Sequence, residues 1–182
     1  MDEPRISPEA MEQNVARFKR LEGSREAYLD SRLPGHQRTK INLIGMGVIE
    51  AESDPALRPA IPLPAHGFNL GMIVAEHGNG AALHAHKTEE AFMALVGPWA
   101  VTWRAGEHVH EIVLAPFDTI SVPIGVYRGF HYVGEGRGVL LTLIGGPDPG
   151  KVAWHPSVIA AAAKTGLGVD AQGRLVERAV EA

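Results

Sequence analysis

Between Gly67 and Gly146 the chain is a series of short apolar stretches separated by turn residues. Several stretches alternate apolar and polar positions, which is the period of a β-strand with one buried face. The pattern predicts eight strands, at residues 68–75, 82–86, 91–96, 100–103, 108–113, 119–122, 128–133 and 139–144. Short strands at this spacing indicate an all-β sandwich or barrel.

The N-terminal segment carries the signals of a helix. Ser7 is a capping residue, Pro8 suits the first helical position, and Glu9 places a negative charge in the first turn. We expect this helix to run to about Leu21, with one apolar stripe packed against another part of the protein. The stripe consists of Met11, Val15 and Phe18.

The segments that flank the strands contain further elements. A second short helical piece is expected at residues 25–31, a strand at 40–49, and an extended proline-rich connection at 53–64. Beyond the barrel, Pro156 opens an alanine-rich helix that stops at Gly166. Residues 169–176 then form either a small hairpin or a loose tail.

These elements divide the chain into three parts. We expect a barrel at residues 67–146, an N-terminal helix, strand and connection at 1–66 packed on it, and a C-terminal helix and tail at 147–182. A chain of 182 residues with 45% hydrophobic content is long enough for one well-buried domain.

Composition narrows the classes of function. The net charge of −4 gives no basic surface for nucleic acid or an anionic membrane, so neither is expected as a partner. The absence of cysteine excludes disulfides, thiolate metal sites and a cysteine nucleophile. The polar N-terminus leads into no apolar signal segment, and no apolar run approaches the length of a membrane span. We therefore expect a cytoplasmic protein.

The most informative polar residues lie between Gly78 and Gly97. There, His84-Ala-His86 is followed after three residues by Glu90. Because side chains alternate along a strand, His84 and His86 project from the same face, and Glu90 regains that face after a short irregular step. Two imidazoles and one carboxylate form the set that holds Fe(II) or a related divalent ion with open coordination positions.

This run resembles the first conserved motif of the cupin superfamily, in which two glycines bracket His-x-His and a glutamate. A second stretch, residues 117–132, resembles the second cupin motif less completely. Asp118, Pro123 and Gly125 match it. Three positions depart from it: Phe117 replaces a glycine, Arg128 replaces the third metal histidine, and Tyr132 replaces an asparagine.

The resemblance covers residues 67–146 and implies a double-stranded β-helix, the jelly-roll barrel, here with an N-terminal and a C-terminal helix. It also implies metal binding by His84, His86 and Glu90. It does not imply a reaction, because cupins include dioxygenases, decarboxylases, epimerases, isomerases and proteins without known catalysis. The alternative is a metal-free barrel in which these three residues are polar lining.

Arg128 allows two interpretations. A guanidinium cannot become a metal ligand, and a cation beside a divalent ion is costly unless an anion lies between them. In the first interpretation Arg128 is a catalytic-site residue that binds a carboxylate or similar anion of the substrate through two hydrogen bonds. In the second it forms an ion pair with Glu90 inside an empty barrel.

The other histidines have weaker claims. His131 becomes a ligand only if Gly129 marks a bulge that turns it inward. His108 and His110 form a second His-x-His, but no carboxylate follows at the right spacing, so we interpret them as surface residues. His36, His66 and His155 lie beside turn residues and look incidental, whereas His77 is placed to line the barrel mouth.

The leading functional hypothesis is a mononuclear metal-dependent enzyme, with an Fe(II) dioxygenase as the first choice of reaction and a small anionic organic molecule as substrate. One alternative is a non-redox isomerase, lyase or decarboxylase that uses Mn, Zn or Ni in the same site. Another is a non-catalytic small-molecule-binding protein. Apolar outer strands and the flanking arms favour a homodimer.

Overall fold

The computed structural model describes residues 6–62 and 66–178. Helix α1 spans Pro8–Glu12 and helix α2 spans Pro156–Ala163. The strands in this part of the chain are β1 (Thr39–Ile44), β2 (Phe68–Glu76), β3 (Gly80–Ala85), β4 (Glu90–Val96), β5 (Trp99–Ala105), β6 (His108–Leu114), β7 (Thr119–Val122), β8 (Arg128–Tyr132), β9 (Arg137–Gly145), β10 (Ala153–Trp154), β11 (Leu167–Val169) and β12 (Leu175–Glu177).

The strands form two antiparallel five-stranded sheets and one small hairpin. The first sheet has the order β1-β2-β9-β4-β7, and the second has the order β10-β3-β8-β5-β6. All eight strands predicted between Gly67 and Gly146 are confirmed as β2 to β9, with ends that differ by at most two residues. Burial alternates strictly along most of β2, which explains why a period of two was visible in the sequence.

Aromatic side chains fill one part of the barrel interior. Phe92, Trp99 and Phe130 are buried, and the Phe130 ring lies edge-on to the other two, with centroids 5.0 and 6.0 Å apart. Such pairs add to the free energy that burial of their large apolar area already contributes. Phe130 also lines the cavity described below, so this buried cluster forms one wall of the candidate site.

A second hydrophobic core joins the two flanking segments to the barrel. Leu29 and Leu57 from the N-terminal part pack with Trp154 and Leu167 from the C-terminal part, and Ile144 of β9 belongs to the same cluster. Tyr28 from the N-terminal part and Trp154 line the cavity as well. The flanking segments therefore supply walls of the candidate site.

The predicted N-terminal helix is wrong in its extent. α1 ends at Glu12, and only a single 3-10 turn, Phe18–Arg20, follows before Leu21. The expected stripe is exposed, with relative accessibilities of 49% for Met11, 39% for Val15 and 54% for Phe18. A short helix is marginal without tertiary packing, and within the described residues this stripe has no apolar partner surface.

The second helical piece predicted at residues 25–31 is also wrong. The segment consists of turns, because Ala27, Tyr28 and Leu29 are buried in the second core and the Leu29 N–H donates to Glu50 Oε2 at 2.7 Å. These tertiary contacts replace the bonds that a helix would have made. The predicted strand at 40–49 ends earlier, at Ile44. Residues 63 and 64 of the predicted connection lie outside the described residues.

The C-terminal predictions agree better with the structure. α2 begins at Pro156 as expected, and β11 and β12 form the hairpin that the sequence left open as one of two possibilities. Neither α2 nor any other helix of residues 6–62 and 66–178 has the length and apolarity needed to cross a bilayer.

Phe117 occupies the position where the second cupin motif usually has glycine, and it keeps a left-handed backbone, with φ of 73°. Its side chain is 73% exposed, so its packing offsets little of the steric cost of this conformation. We expect Phe117→Gly to raise the free energy of unfolding by about 0.5–1 kcal/mol in a denaturant titration. Phe117→Ala is the control, because alanine retains Cβ. Equal stability of the two variants would contradict the explanation.

Candidate metal centre

The structure brings the three predicted ligands together. His84 lies near the end of β3, His86 follows one residue after that strand, and Glu90 begins β4. All three are buried, and their candidate ligand atoms lie within 4.8 Å of one another. The two imidazole centroids are 5.0 Å apart, and His86 Nε2 is 3.7 Å from Glu90 Oε2. The two histidines share one face, as the spacing predicted.

The glycines that bracket the run have a structural explanation. Gly78 and Gly97 have φ of 74° and 66°, a region that residues with a Cβ rarely adopt. A Cβ on Gly97 would also collide with the ring of Tyr132 on β8. Gly78 thus belongs to the turn before β3, and Gly97 to the turn after β4, the two strands that bring the candidate ligands to the site.

The hydrogen bonds of the two imidazoles fit a metal ion. His84 Nδ1 lies 2.7 Å from the Ala82 carbonyl oxygen, to which it donates, and this leaves Nε2 with a free lone pair. His86 Nδ1 is buried and has no hydrogen-bond partner in the described structure. The other ring nitrogen, Nε2, is 3.7 Å from Glu90 Oε2, too far for a hydrogen bond, so its lone pair is also available to an ion. The residues therefore fit Fe(II), Mn(II), Zn(II) or Ni(II).

Burial keeps both imidazoles neutral. Desolvation, with a smaller contribution from the nearby Arg128 guanidinium, lowers the pKa of His86 to about 3 and holds the pKa of His84 well below its ordinary value. A neutral imidazole is the form that binds metal. At physiological pH, no proton has to leave either ring before a cation binds.

Arg128 contacts Glu90 directly. It is 1% exposed and lies opposite His84 in the β3–β8 pairing. Its Nε donates to Glu90 Oε2 at 2.9 Å, and its Nη2 donates to the same oxygen. Its Nη1 is 3.4 Å from the carbonyl oxygens of His84 and Val126. This geometry is that of the internal ion pair, and the substrate-binding role of Arg128 stays a prediction.

Opposing effects act on the Glu90 carboxyl. Burial, the largest effect, raises its pKa above the ordinary value, whereas the Arg128 guanidinium lowers it, as does the more distant Lys40. Arg128 thus helps to keep Glu90 ionised, the state in which a carboxylate binds a metal.

Sequence reasoning missed Lys40. This residue lies on β1, outside the motif-bearing region, and it lines the same cavity as His86 and Glu90. Along β1 it alternates with Ile41 and Leu43, so it resembles an ordinary solvent-facing position. The available signal was Gly71 on the neighbouring β2, because a glycine inside a strand often marks a close approach of another group.

The other histidines lie elsewhere. His131 Nε2 is 3.7 Å from Glu111 Oε2. The register shift between β3 and β8 falls opposite Gly129, but the extra residue lies on β3, between Ala81 and His84, and β8 pairs regularly with β5 through Gly129. His131 is thus outside the cluster of three ligands. His108 and His110 are exposed on the edge strand β6, and His110 stacks on Trp103 with centroids 5.5 Å apart.

Because His108 and His110 are exposed, and no carboxylate follows His110 at the four-residue spacing that links His86 to Glu90, we expect them to be dispensable. A His108→Gln/His110→Gln variant should contain the same amount of metal as the wild type when both are measured by plasma mass spectrometry. The matched variant His84→Gln/His86→Gln should lose its metal. Metal loss in the first variant would show that the wrong His-x-His had been chosen.

Comparison with known proteins gives a fold rather than a close relative. No protein-family model and no curated protein matches the sequence. Oxalate oxidase aligns over 80% of this chain with a TM-score of 0.54 and 16% identity; the aligned part is 64% of its own length, so the chain spans less than two thirds of it. Peruvianin-I, a cysteine peptidase from Thevetia peruviana latex, aligns over 81% of this chain and 82% of its own, with a TM-score of 0.54 and 15% identity.

A third structure, from Acidithiobacillus ferrooxidans and described as a sugar phosphate isomerase, aligns over 74% of this chain and 76% of its own, with a TM-score of 0.53 and 19% identity. The names of these proteins differ widely, and at such identities the likeness concerns architecture alone. The strand order, the glycine-bracketed histidine motif and these alignments agree, and this chain therefore has the fold of the cupin superfamily.

Proposed function

We propose that this protein is a mononuclear metal-dependent enzyme that acts on a small anionic organic molecule, with Fe(II)-dependent dioxygenation as the leading reaction. The observation that carries the proposal is the buried set of His84, His86 and Glu90, with candidate ligand atoms within 4.8 Å. Fe(II) held by two imidazoles and one carboxylate supplies open coordination positions and redox chemistry.

The residues of the chain prepare this site in three ways. The Ala82 carbonyl fixes the tautomer of His84, and Arg128 fixes the orientation of Glu90. Phe130 and Trp154 supply apolar walls that limit access of water. Each contribution reduces the rearrangement needed when an ion binds.

One observation favours a competing function. Glu90 already has a close cationic partner in Arg128, and a carboxylate paired in this way leaves less need for a metal. A non-catalytic binding protein would retain the cavity without an ion. The choice between these functions depends on which metal, if any, the protein carries.

Metal analysis of protein purified without chelator or nickel resin tests the proposal. Iron at about one equivalent, together with oxygen consumption in the presence of small carboxylates, is the expected result. Stoichiometric Mn, Zn or Ni without oxygen consumption would instead support an isomerase, lyase or decarboxylase. Protein that binds no divalent ion even on titration would refute the enzyme proposal and favour the binding protein.

We also propose a homodimer. The edge strand β6 exposes Val109, Ile112 and Val113, with relative accessibilities of 60%, 46% and 53%. Exposed apolar side chains on an unpaired edge support association with a second copy. Sedimentation velocity at micromolar concentration measures the state directly, and a monomer at all concentrations would refute the proposal.

A further inference from the structure

Lys40 is a buried cation that the structure accommodates at a specific place. It is 5% exposed, and its Nζ donates to Thr142 Oγ1 on β9 at 3.2 Å. Lys40 lies on β1 and Thr142 on β9, and Gly71 of β2 lies between these two strands. A Cβ on Gly71 would collide with Lys40 Nζ. The missing side chain of Gly71 makes room for the ammonium.

The charges around the cavity do not balance. Three cations line it or lie at its edge, and two have carboxylate partners. Arg38 pairs with Asp30 at 2.9 Å, and Arg128 pairs with Glu90. Lys40 has no carboxylate within 4.0 Å among residues 6–62 and 66–178. Of its three N–H donors, one has an acceptor in this part of the chain.

Holding an unpaired ammonium in the interior costs stability. Desolvation, the largest effect, lowers the pKa of Lys40 to about 8; Arg38 acts in the same direction and Glu90 opposes it. At pH 7 most molecules therefore still carry the charge. A charge kept at such a cost, in a cavity that also holds the candidate metal ligands, is typical of a functional group rather than a stabilising one.

The cavity is small. Its volume of about 30 Å³ is lined by Lys40, His86, Glu90, Phe130 and Trp154 among others. One water molecule needs roughly 10–15 Å³, so the space holds only a few waters. Only a ligand of a few heavy atoms can replace them without displacement of the walls.

We propose that Lys40 is the anion-binding residue of this site, and that the substrate class is a carboxylate of only a few heavy atoms. The ligand carboxylate accepts the remaining N–H donors of Lys40 and neutralises its charge. The inference rests on the proposed function and deepens it, because it names the residue that holds the anion and limits the size of the substrate.

The test compares Lys40→Met, which keeps a long side chain but removes the charge, with the wild type. Acetate and glycolate are titrated at pH 7 into manganese-loaded and metal-free protein, with thermal melting and calorimetry as readouts. The larger anion benzoate tests the size limit. Lys87→Met is the control, because Lys87 is exposed although it follows His86 directly.

We expect Lys40→Met to bind acetate and glycolate at least tenfold more weakly, with manganese content unchanged. Without added anion its melting temperature should rise by about 2–4 °C, because an unpaired buried charge has been removed. Lys87→Met should behave as the wild type. Benzoate should not bind.

Unchanged anion binding in Lys40→Met would overturn the inference, as would a lowered melting temperature with intact binding, which would make Lys40 a structural residue. Benzoate binding as tight as that of acetate would overturn the size limit. If the wild type binds no metal but still binds glycolate through Lys40, the enzyme proposal fails and the anion-binding role stands. If the wild type binds metal but Lys40→Met binds glycolate as tightly as the wild type does, the enzyme proposal stands and the anion-binding role of Lys40 fails.

Discussion

Replacement of Arg128 with alanine should lower the free energy of unfolding by about 3–5 kcal/mol, because it leaves the buried Glu90 carboxylate without its closest partner. Denaturant titration of metal-free protein measures the change. The double variant Arg128→Leu/Glu90→Leu should recover most of the loss, since it removes both charges together. Arg128→Lys should recover only part, because an ammonium cannot reproduce the two contacts to Glu90.

The effect of Arg128→Ala should depend on pH. Burial raises the pKa of Glu90, and loss of Arg128 removes the main influence that lowers it. The uncompensated charge is present above the raised pKa and disappears on protonation, so the difference in unfolding free energy between variant and wild type should shrink as the pH falls through that pKa. A gap that stays constant or grows towards low pH would contradict the ion-pair explanation.

The same variant tests the substrate-binding interpretation of Arg128. If Arg128 binds the substrate anion, Arg128→Ala should keep its fold and its metal while carboxylate binding weakens by about 1.5–3 kcal/mol, the range for a hydrogen bond to a charged group. Unchanged anion binding with a large loss of stability would refute that role. Lys40→Met serves as the comparison, since it should weaken anion binding without loss of stability.

The second large effect concerns metal affinity. His86→Ala should weaken binding of Mn(II) or Fe(II) at least tenfold, because it removes one of three protein ligands. While the metal stays in large excess over its Kd, the stabilisation that it confers should fall by about 1.4 kcal/mol for each tenfold loss of affinity. The rise in melting temperature on addition of Mn(II) reports this directly.

His131→Ala is the matched control for His86→Ala, because His131 lies beside Glu111 and outside the cluster of ligands. It should keep the full metal-induced rise in melting temperature. If His131→Ala loses metal as His86→Ala does, then His131 is a ligand, and its position outside the cluster of three ligands is contradicted.

The barrel could be predicted from the sequence because two independent signals coincide there. Strand alternation gives a period of two, and turn glycines such as Gly78 and Gly97 fix where each strand ends. The N-terminal part lacked such agreement. Ser7 and Pro8 do begin a helix, but its continuation depended on an apolar partner surface that residues 6–62 and 66–178 do not supply.

The residues of the candidate site also differ in how far the sequence alone predicts that they lie together. His84, His86 and Glu90 are close in sequence, so their spacing alone places them together. Lys40 reaches the same cavity from β1, which is distant in sequence. The strand order β1-β2-β9 brings it there, and the missing side chain of Gly71 leaves room for its ammonium group. Local spacing carries no record of such a pairing.

The second hydrophobic core joins the flanking segments to the barrel, so the residues around the cavity come from different parts of the chain. The candidate ligands belong to the barrel, whereas Lys40, Tyr28 and Trp154, which face the same cavity, come from the segments before and after it. Changes in those segments can alter which molecule fits while the barrel keeps its candidate metal ligands. The ligand specificity of this site can therefore change through substitutions in the terminal segments alone, while the barrel sequence is retained.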